Sequence, residues 1–140
     1  MPSDFPAFEK LHHETFPNTY YDAATIQARL NDENFLRVLK NDARQLQGYA
    51  YFEIDREMEE ASLEYIGVSS DFQNQGIGTR LLKEVVSKMF SYPEITEVLL
   101  TVDNQNEQAN HMYYKAGFRP RNVLILYEVK STNCNSPKDL

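Results

Sequence analysis

The fold is decided by the stretch Val68-Ser-Ser-Asp-Phe-Gln-Asn-Gln-Gly-Ile-Gly-Thr79, in which a strand gives way to a helix. Residues 62–68 alternate as a half-buried strand does, whereas residues 77–90 place apolar side chains at helical spacing. Gly76 and Gly78 let the backbone turn without a Cβ clash, and the first amides of the helix carry the positive end of its dipole. Such a corner accepts a phosphate or pyrophosphate, although two glycines more often make a purely structural corner.

Two better-known phosphate loops are excluded by the residues that follow. A Walker A loop needs a lysine directly after its last glycine, and Thr79 stands there instead. A dinucleotide fingerprint needs a glycine or alanine three residues beyond Gly78, where this chain has Leu81.

The elements around this corner predict an α/β (α+β) fold with one mixed, mostly antiparallel central sheet flanked by helices. Asp4 or Ser3 is placed to cap the first helix, and Asp22 to cap the second. The expected order is α-α-β-β-β-α-β-α-β, with helices near residues 8–16, 23–31, 77–90 and 107–116 and strands at 35–40, 47–54, 62–68, 97–102 and 123–129. We expect one domain over residues 1–130, followed by a polar tail at 131–140.

Composition excludes several classes of function. With 14 basic and 21 acidic residues the net charge is −7, which argues against general nucleic-acid binding. No apolar run is long enough to span a bilayer, and no secretory signal is visible. The single cysteine, Cys134, excludes an intrachain disulfide framework and favours a reducing compartment, so a cytoplasmic location is expected. Nothing beside Cys134 indicates an activated nucleophile, and the three histidines form no metal-binding pattern.

Two motifs carry a family resemblance. Gln73-Asn-Gln-Gly-Ile-Gly78 resembles the Q/R-x-x-G-x-G/A signature of the GNAT superfamily of acetyl-coenzyme A-dependent N-acyltransferases. About thirty residues later, Asn106-Glu-Gln-Ala-Asn-His-Met-Tyr-Tyr-Lys-Ala-Gly-Phe118 is similar to that family's N-x-x-A-x-x-x-Y-x-K-x-G-F pattern at every defining position. The resemblance covers residues 47–130, and the first 46 residues are compatible with it.

The resemblance implies a site for acetyl-coenzyme A and no metal. The main chain of Ile66 and Val68 would hold the pantetheine amides where this strand splays from its neighbour, and Gly67 could mark a bulge there. Asn106 would hold the pantetheine arm. The pyrophosphate would lie on the amides of the loop and helix start, which are Gln73, Asn74, Gln75, Gly76, Ile77, Gly78 and Thr79.

The resemblance also implies direct attack of an amine on the thioester, for which an acid and a base are needed. Tyr113 is the candidate general acid, although an aromatic residue at this helical spacing is usually core, and Tyr114 points about 100° away. The base is less defined, because the position that some relatives use is Ser62 here. Glu64 would act through a water, bind the amine, or simply face solvent, and Asp103 is a distant second.

Three features bear on the acceptor and on partners. The family usually opens with a strand, whereas this sequence begins almost at its first helix. We expect that the strand is missing, that a partner chain supplies it, or that the sequence resembles one half of a tandem arrangement. A missing strand would expose a sheet edge, which is compatible with a homodimer. Tyr20 and Tyr21 lie in a loop that could line the acceptor site or pack on the sheet. Residues 1–70 hold 6 basic and 13 acidic side chains against 8 and 8 in residues 71–140, so the amine is predicted to be cationic, although simple solubility explains the excess nearly as well.

An enzyme is therefore the leading interpretation, with a cationic small-molecule or peptide amine as acceptor. A non-catalytic domain of the same fold, which binds an acyl-coenzyme A or a protein partner, is the alternative. Amine-stimulated release of thiol from acetyl-coenzyme A separates the two.

Overall fold

A computed structural model describes residues 4–19, 21–101, 107–122 and 126–130. Its four helices and six strands follow the predicted order, with one strand added near the end. In chain order they are α1 (Phe5–Thr15), α2 (Ala23–Arg29), β1 (Asn34–Lys40), β2 (Leu46–Asp55), β3 (Glu60–Val68), α3 (Ile77–Phe90), β4 (Glu97–Thr101), α4 (Glu107–Lys115), β5 (Arg119–Asn122) and β6 (Leu126–Lys130).

All six strands form one sheet in the order β1-β2-β3-β4-β6-β5. Every neighbouring pair is antiparallel except β3 and β4, which run parallel because the α3 crossover joins them. The mixed, mostly antiparallel sheet is therefore confirmed. Among the described residues no strand precedes α1, and β1 forms one edge of the sheet.

The last part of the sheet contains one strand more than predicted, and the first residues of the predicted strand over 123–129, residues 123–125, lie outside the described residues. Arg119–Asn122 forms an additional strand, β5, at the sheet edge, and Leu126–Lys130 forms β6 between β5 and β4. Strand β5 contains Pro120, which an edge strand tolerates because one side of its backbone needs no ladder partner. Residues 131–140, the predicted tail with Cys134, lie outside the described residues.

The sheet separates two apolar layers. On one face α3 packs its buried stripe, which includes Leu81, Val85 and Met89, against β2 and β3. On the other face α1 and α2 pack Phe8, Ile26 and their neighbours against an aromatic set from the same strands, which comprises Tyr49, Tyr51 and Tyr65. The capping role predicted for Asp22 is confirmed, because its carboxylate accepts a hydrogen bond from the Thr25 N–H across 2.8 Å. Asp4 also stands at the N-cap of α1, but its side chain makes no capping hydrogen bond.

No helix in the described part of the chain is long and apolar enough to cross a membrane.

Candidate active site

The glycine corner between β3 and α3 has the shape that the sequence predicts. Gly76 is the N-cap of α3 with a φ of +79°, a left-handed conformation that favours glycine. The first backbone bond of the helix runs from the Arg80 N–H to the Gly76 carbonyl, so the amides of residues 77–79 lie ahead of it. These amides carry the positive end of the dipole of a 14-residue helix. They are suited to an anionic group such as a pyrophosphate.

Gln73 has a contact that the sequence did not indicate. Its side-chain amide donates a hydrogen bond of 2.8 Å to the Val68 carbonyl, five residues earlier at the end of β3. This bond ties the loop back onto the strand and so fixes where the amides of α3 point relative to β3. The side chain of Gln73 therefore shapes the corner as well as bordering it.

Within the described residues, the pairing of β3 with β4 ends halfway along β3. The parallel ladder between them runs from the pair Glu60 and Glu97 to the pair Leu63 and Leu100, and in the described residues it goes no further. On its other side β3 stays paired with β2 as far as Val68. No β4 residue among those described pairs with residues 64–68 of β3, and we call this side of the strand the gap; the family resemblance implies a splayed strand here.

The bulge in β3 falls at Glu64 and not at Gly67. Tyr51 of β2 pairs with Tyr65, and the next residue, Phe52, pairs with Leu63, so Glu64 is the extra residue on its strand. Gly67 is in regular register with Tyr49. The bulge breaks the simple alternation of side chains along β3, by which Glu64 and Ile66 would share one side. Beyond it Ile66 and Val68 pack with the α3 layer, whereas Tyr65 belongs to the α1 layer.

The backbone groups of Ile66 and Val68 point into the gap. The Ser69 N–H bonds to the Gln47 carbonyl of β2, and inward and outward groups alternate along an antiparallel strand. The N–H groups of Val68 and Ile66 are therefore directed away from β2, into this gap. This is the orientation expected for residues that bind an extended chain of amides.

A cleft of about 700 Å³ joins the gap to the glycine corner. This volume lies within the range that is usual for sites of small molecules and cofactors. Ten of the twelve residues predicted for the site line it: Glu64, Ile66, Val68, Gln73, Asn74, Gly76, Ile77, Gly78, Thr79 and Tyr113. Gln75 is not part of the lining, while Asn106, Asp103 and Tyr20 lie outside the described residues.

Tyr113 is both a buried core residue and part of the lining of the cleft. It is 5% exposed and packs in the core, with its ring centroid 6.1 Å from that of Phe118, and it also borders the cleft. Burial raises the pKa of Tyr113 to about 12. Its hydroxyl therefore keeps its proton at neutral pH, as a proton donor must. Tyr114, by contrast, is 55% exposed and does not line the cleft.

The cleft reaches through the sheet to residues that the motifs did not reveal. At its far end lie Thr15, Phe16 and Tyr65, on the face covered by α1 and α2. One signal for them was present in the sequence, because Phe16 begins the aromatic loop, residues 16–21, that was considered for the acceptor. Tyr21 from the same loop is absent from the lining and packs near Tyr51, with ring centroids 6.5 Å apart. On the opposite side His111, Met112 and Lys115 of α4 complete the wall.

Much of the acidic excess lies away from the cleft. The charged turn between β2 and β3 precedes Glu60, which is four residues and roughly 13 Å along the strand from Glu64 in the cleft lining. This separation exceeds the screening length of about 8 Å at physiological salt. Glu64 is the acidic residue among those that line the cleft, and Lys115 is a basic one. In the described part of the chain no cluster of acidic, histidine or cysteine side chains could hold a metal ion.

Replacing Gly76 with alanine tests the helix start. The added Cβ would meet nothing within 4 Å, so the cost comes from the positive φ alone, about 1 kcal/mol of unfolding free energy. We expect binding of coenzyme A, measured by calorimetry, to weaken severalfold because the strained N-cap shifts the amides that follow it.

Gly117→Ala, at a φ of +103° beyond α4, is the matched control. It should lose similar stability in chemical denaturation and keep its affinity. Equal affinity loss in both variants would contradict a specific role of the α3 amides.

Comparisons with known proteins agree with this geometry. A family model described as the acetyltransferase (GNAT) family matches residues 4–118. An uncharacterized N-acetyltransferase of Methanocaldococcus jannaschii is 27% identical over 124 residues, which cover 89% of this chain and 78% of that protein. A solved mutant of the spermidine N-acetyltransferase of Vibrio cholerae superposes with a TM-score of 0.79 at 16% identity, over 96% of this chain and 95% of that one. The PaiA N-acetyltransferase of Thermoplasma acidophilum, solved in complex with coenzyme A, gives 0.72 at 19%, over 92% and 94%.

At these identities the solved structures show a shared fold, and the family match extends over most of the sequence. The family match and the N-acetyltransferase relatives together support an acyltransferase enzyme over the non-catalytic alternative. The chain belongs to the GNAT family of acetyltransferases.

Proposed function

We propose that this protein transfers an acetyl group from acetyl-coenzyme A to a primary amine by direct attack of the amine on the thioester. The observation that carries the proposal is the cleft itself. It combines the open side of β3, with two N–H groups directed into it, and the unbonded first turn of α3 in one continuous space. A thioester on an amide-containing arm that ends in a pyrophosphate matches both features.

Each part of acetyl-coenzyme A would bind to a different group of residues. The amides of residues 77–79 would receive the pyrophosphate at the positive end of the helix dipole. The N–H and carbonyl groups of Ile66 and Val68 would pair with the pantetheine amides as a strand pairs with its neighbour. An amide near Val68 would polarise the thioester carbonyl. The solved relative that holds coenzyme A has the same fold, which supports this donor.

Two side chains would handle the protons. Tyr113 stays protonated because burial raises its pKa, so it would give its proton to the departing thiolate. Glu64 lies at the bulge of β3 and borders the cleft, from where it would bind the incoming amine or receive its proton through a water. No covalent acyl-enzyme is needed in this scheme.

We propose a cationic acceptor, and Glu64 supports this better than the overall charge does. The acidic turn before β3 is remote, and Glu53 and Asp4 form ion pairs with Arg29 and Lys40, so these parts of the excess exert little field at the cleft. A carboxylate that lines the cleft would act on the amine directly. A spermidine N-acetyltransferase among the solved structures of this fold is in keeping with a cationic amine.

Ionic strength tests the charge of the acceptor. Because exposed charges are screened by salt, we expect the KM of the amine to rise several-fold between low salt and about 0.5 M sodium chloride, with kcat unchanged. The KM of a neutral amine of similar size, measured in parallel, should not change. A KM that is independent of salt for every charged amine would contradict a cationic acceptor.

Release of thiol from acetyl-coenzyme A in the presence of an amine panel tests the activity. The panel contains polyamines, aminoglycosides, amino acids and peptides with free N-termini. We expect at least one amine to stimulate release and to appear acetylated by mass spectrometry. If acetyl-coenzyme A binds and no amine stimulates release, the proposed function is wrong.

A further inference from the structure

The loop between α1 and α2, residues 16–22, borders the far end of the cleft through Phe16. We propose that His12 and Tyr65 are positioning residues which fix this loop through the backbone of Tyr21 and thereby set the affinity for the acceptor. This inference rests on the proposed function, since it concerns the same cleft.

The backbone N–H and carbonyl of Tyr21 are both bonded to side chains of packed elements, one from α1 and one from β3. Its N–H donates to the Tyr65 hydroxyl across 3.3 Å, and its carbonyl oxygen lies 2.7 Å from Nε2 of His12. A loop residue whose N–H and carbonyl are both bonded to side chains of packed elements is restrained in position and in orientation. These two bonds act together with the contacts of the Tyr21 ring, over which the Arg29 guanidinium lies 4.5 Å from the ring centroid.

The bonding pattern defines the state of His12. A carbonyl oxygen only accepts, so Nε2 carries a proton and donates it to Tyr21. In the neutral ring Nδ1 is then an acceptor, and the Tyr49 hydroxyl donates to it across 2.5 Å. His12 is 2% exposed, and burial lowers its pKa, which favours this neutral form. A histidine in this form serves as a fixed link from Tyr49 of β2 to the loop.

Tyr65 connects the loop to the strand that lines the cleft. It lies in β3 between Glu64 and Ile66, and its hydroxyl also hydrogen bonds to the side chain of Thr19. Its ring packs against Phe16, with centroids 5.0 Å apart. Because the bulge at Glu64 turns Tyr65 toward the α1 layer, one strand segment presents Glu64 to the cleft and holds the loop that closes its far end.

The loop is where an acceptor would meet the enzyme. The features suited to coenzyme A are concentrated at the start of α3. The cleft runs from there through the gap in the sheet to Thr15, Phe16 and Tyr65. A shifted loop would therefore change the space for the amine and leave the coenzyme end as it is. This predicts a change in the KM of the amine without a change in the affinity for coenzyme A.

Four variants test the inference. Tyr65→Phe keeps the buried ring and removes the acceptor for the Tyr21 N–H. His12→Leu removes the donor to the Tyr21 carbonyl, and His12→Gln restores a donor amide in its place. Tyr51→Phe is the matched control, because it loses hydrogen bonds to Glu53 (2.6 Å) and from Arg29 (3.3 Å) on the same sheet face and leaves both backbone bonds of Tyr21 intact.

Three quantities are measured for each variant. They are the KM and kcat of the best amine from the panel, the Kd of coenzyme A, and the hydrogen exchange of peptides that contain residues 16–22. For Tyr65→Phe and His12→Leu we expect the KM of the amine to rise about tenfold and exchange in the loop to accelerate, with kcat and Kd little changed. His12→Gln should recover part of the wild-type KM, and Tyr51→Phe should resemble the wild type.

The outcomes separate this inference from the proposed function. If the wild-type protein acetylates no amine, the proposed function fails and this inference fails with it. If the wild-type protein is active and Tyr65→Phe, which preserves the packed ring, leaves the KM of the amine unchanged, the inference alone is wrong. The same holds if the KM and the Kd of coenzyme A rise together, since that indicates general loss of structure.

Discussion

Replacing Tyr113 with phenylalanine is expected to lower kcat by about 10²-fold or more, the usual contribution of a general acid. The variant keeps the aromatic ring that packs beside Phe118, so the core and the wall of the cleft should be preserved. What is lost is the hydroxyl proton for the departing thiolate. Because that interaction operates only in the transition state, kcat and kcat/KM should fall by the same factor, with the affinity for coenzyme A unchanged.

The pH dependence of Tyr113 strengthens the test. A phenol is protonated below its pKa, and burial raises the pKa of Tyr113 to about 12. The wild-type acid therefore keeps its proton throughout an assay range of about pH 6 to 10, and its titration produces no alkaline loss of rate. Tyr113→Phe should be slower by a similar factor across that range.

Tyr114→Phe is the control for this experiment. Tyr114 is the next residue of α4, about 100° around the helix, and is 55% exposed. Its variant should turn over at nearly the wild-type rate. If Tyr113→Phe also keeps wild-type turnover across pH, Tyr113 is a core residue that happens to border the cleft, and the proton comes from elsewhere.

The sequence alone predicts the parts of the fold that depend on local pattern. The apolar spacing of Leu81, Val85 and Met89 predicts the buried face of α3, and the structure confirms it. Gly76 and Gly78 predict the corner before that helix, where the N-cap has a positive φ. These features depend on periodicity and backbone chemistry within a few residues, which a single sequence displays directly.

The features that were missed depend on pairing between distant segments. The bulge at Glu64 exists because Phe52 pairs with Leu63 while Tyr51 pairs with Tyr65, and nothing in residues 60–68 alone signals that shift. His12 has no motif, and it is surrounded by groups from β2, β3 and the loop that approach one another only in the folded chain. Long-range geometry of this kind is not encoded in local spacing.

Replacing Glu64 with glutamine is expected to lower kcat/KM for the amine by about 10²-fold, a typical contribution of acid–base catalysis. The variant keeps the shape of the side chain at the bulge and removes its negative charge. The affinity for coenzyme A should stay near the wild-type value, because the pyrophosphate end of the cleft lies at the start of α3. If the carboxylate attracts a cationic amine, the dependence of KM on salt should also become weaker in this variant.

Whether the loss of kcat/KM in Glu64→Gln comes from a lower kcat or a higher KM shows whether Glu64 accepts the proton of the amine or only binds the amine. A carboxylate that receives the amine's proton through a water acts in the transition state, so its removal lowers kcat. A carboxylate that only holds the cationic amine contributes to binding, so its removal raises KM and leaves kcat unchanged. Glu60→Gln is the matched control, since Glu60 lies on the same strand roughly 13 Å away, in the part of β3 that is still paired with β4. Wild-type values of both constants in Glu64→Gln would leave Glu64 as a carboxylate that faces solvent, and the amine's proton would then pass to bulk water directly.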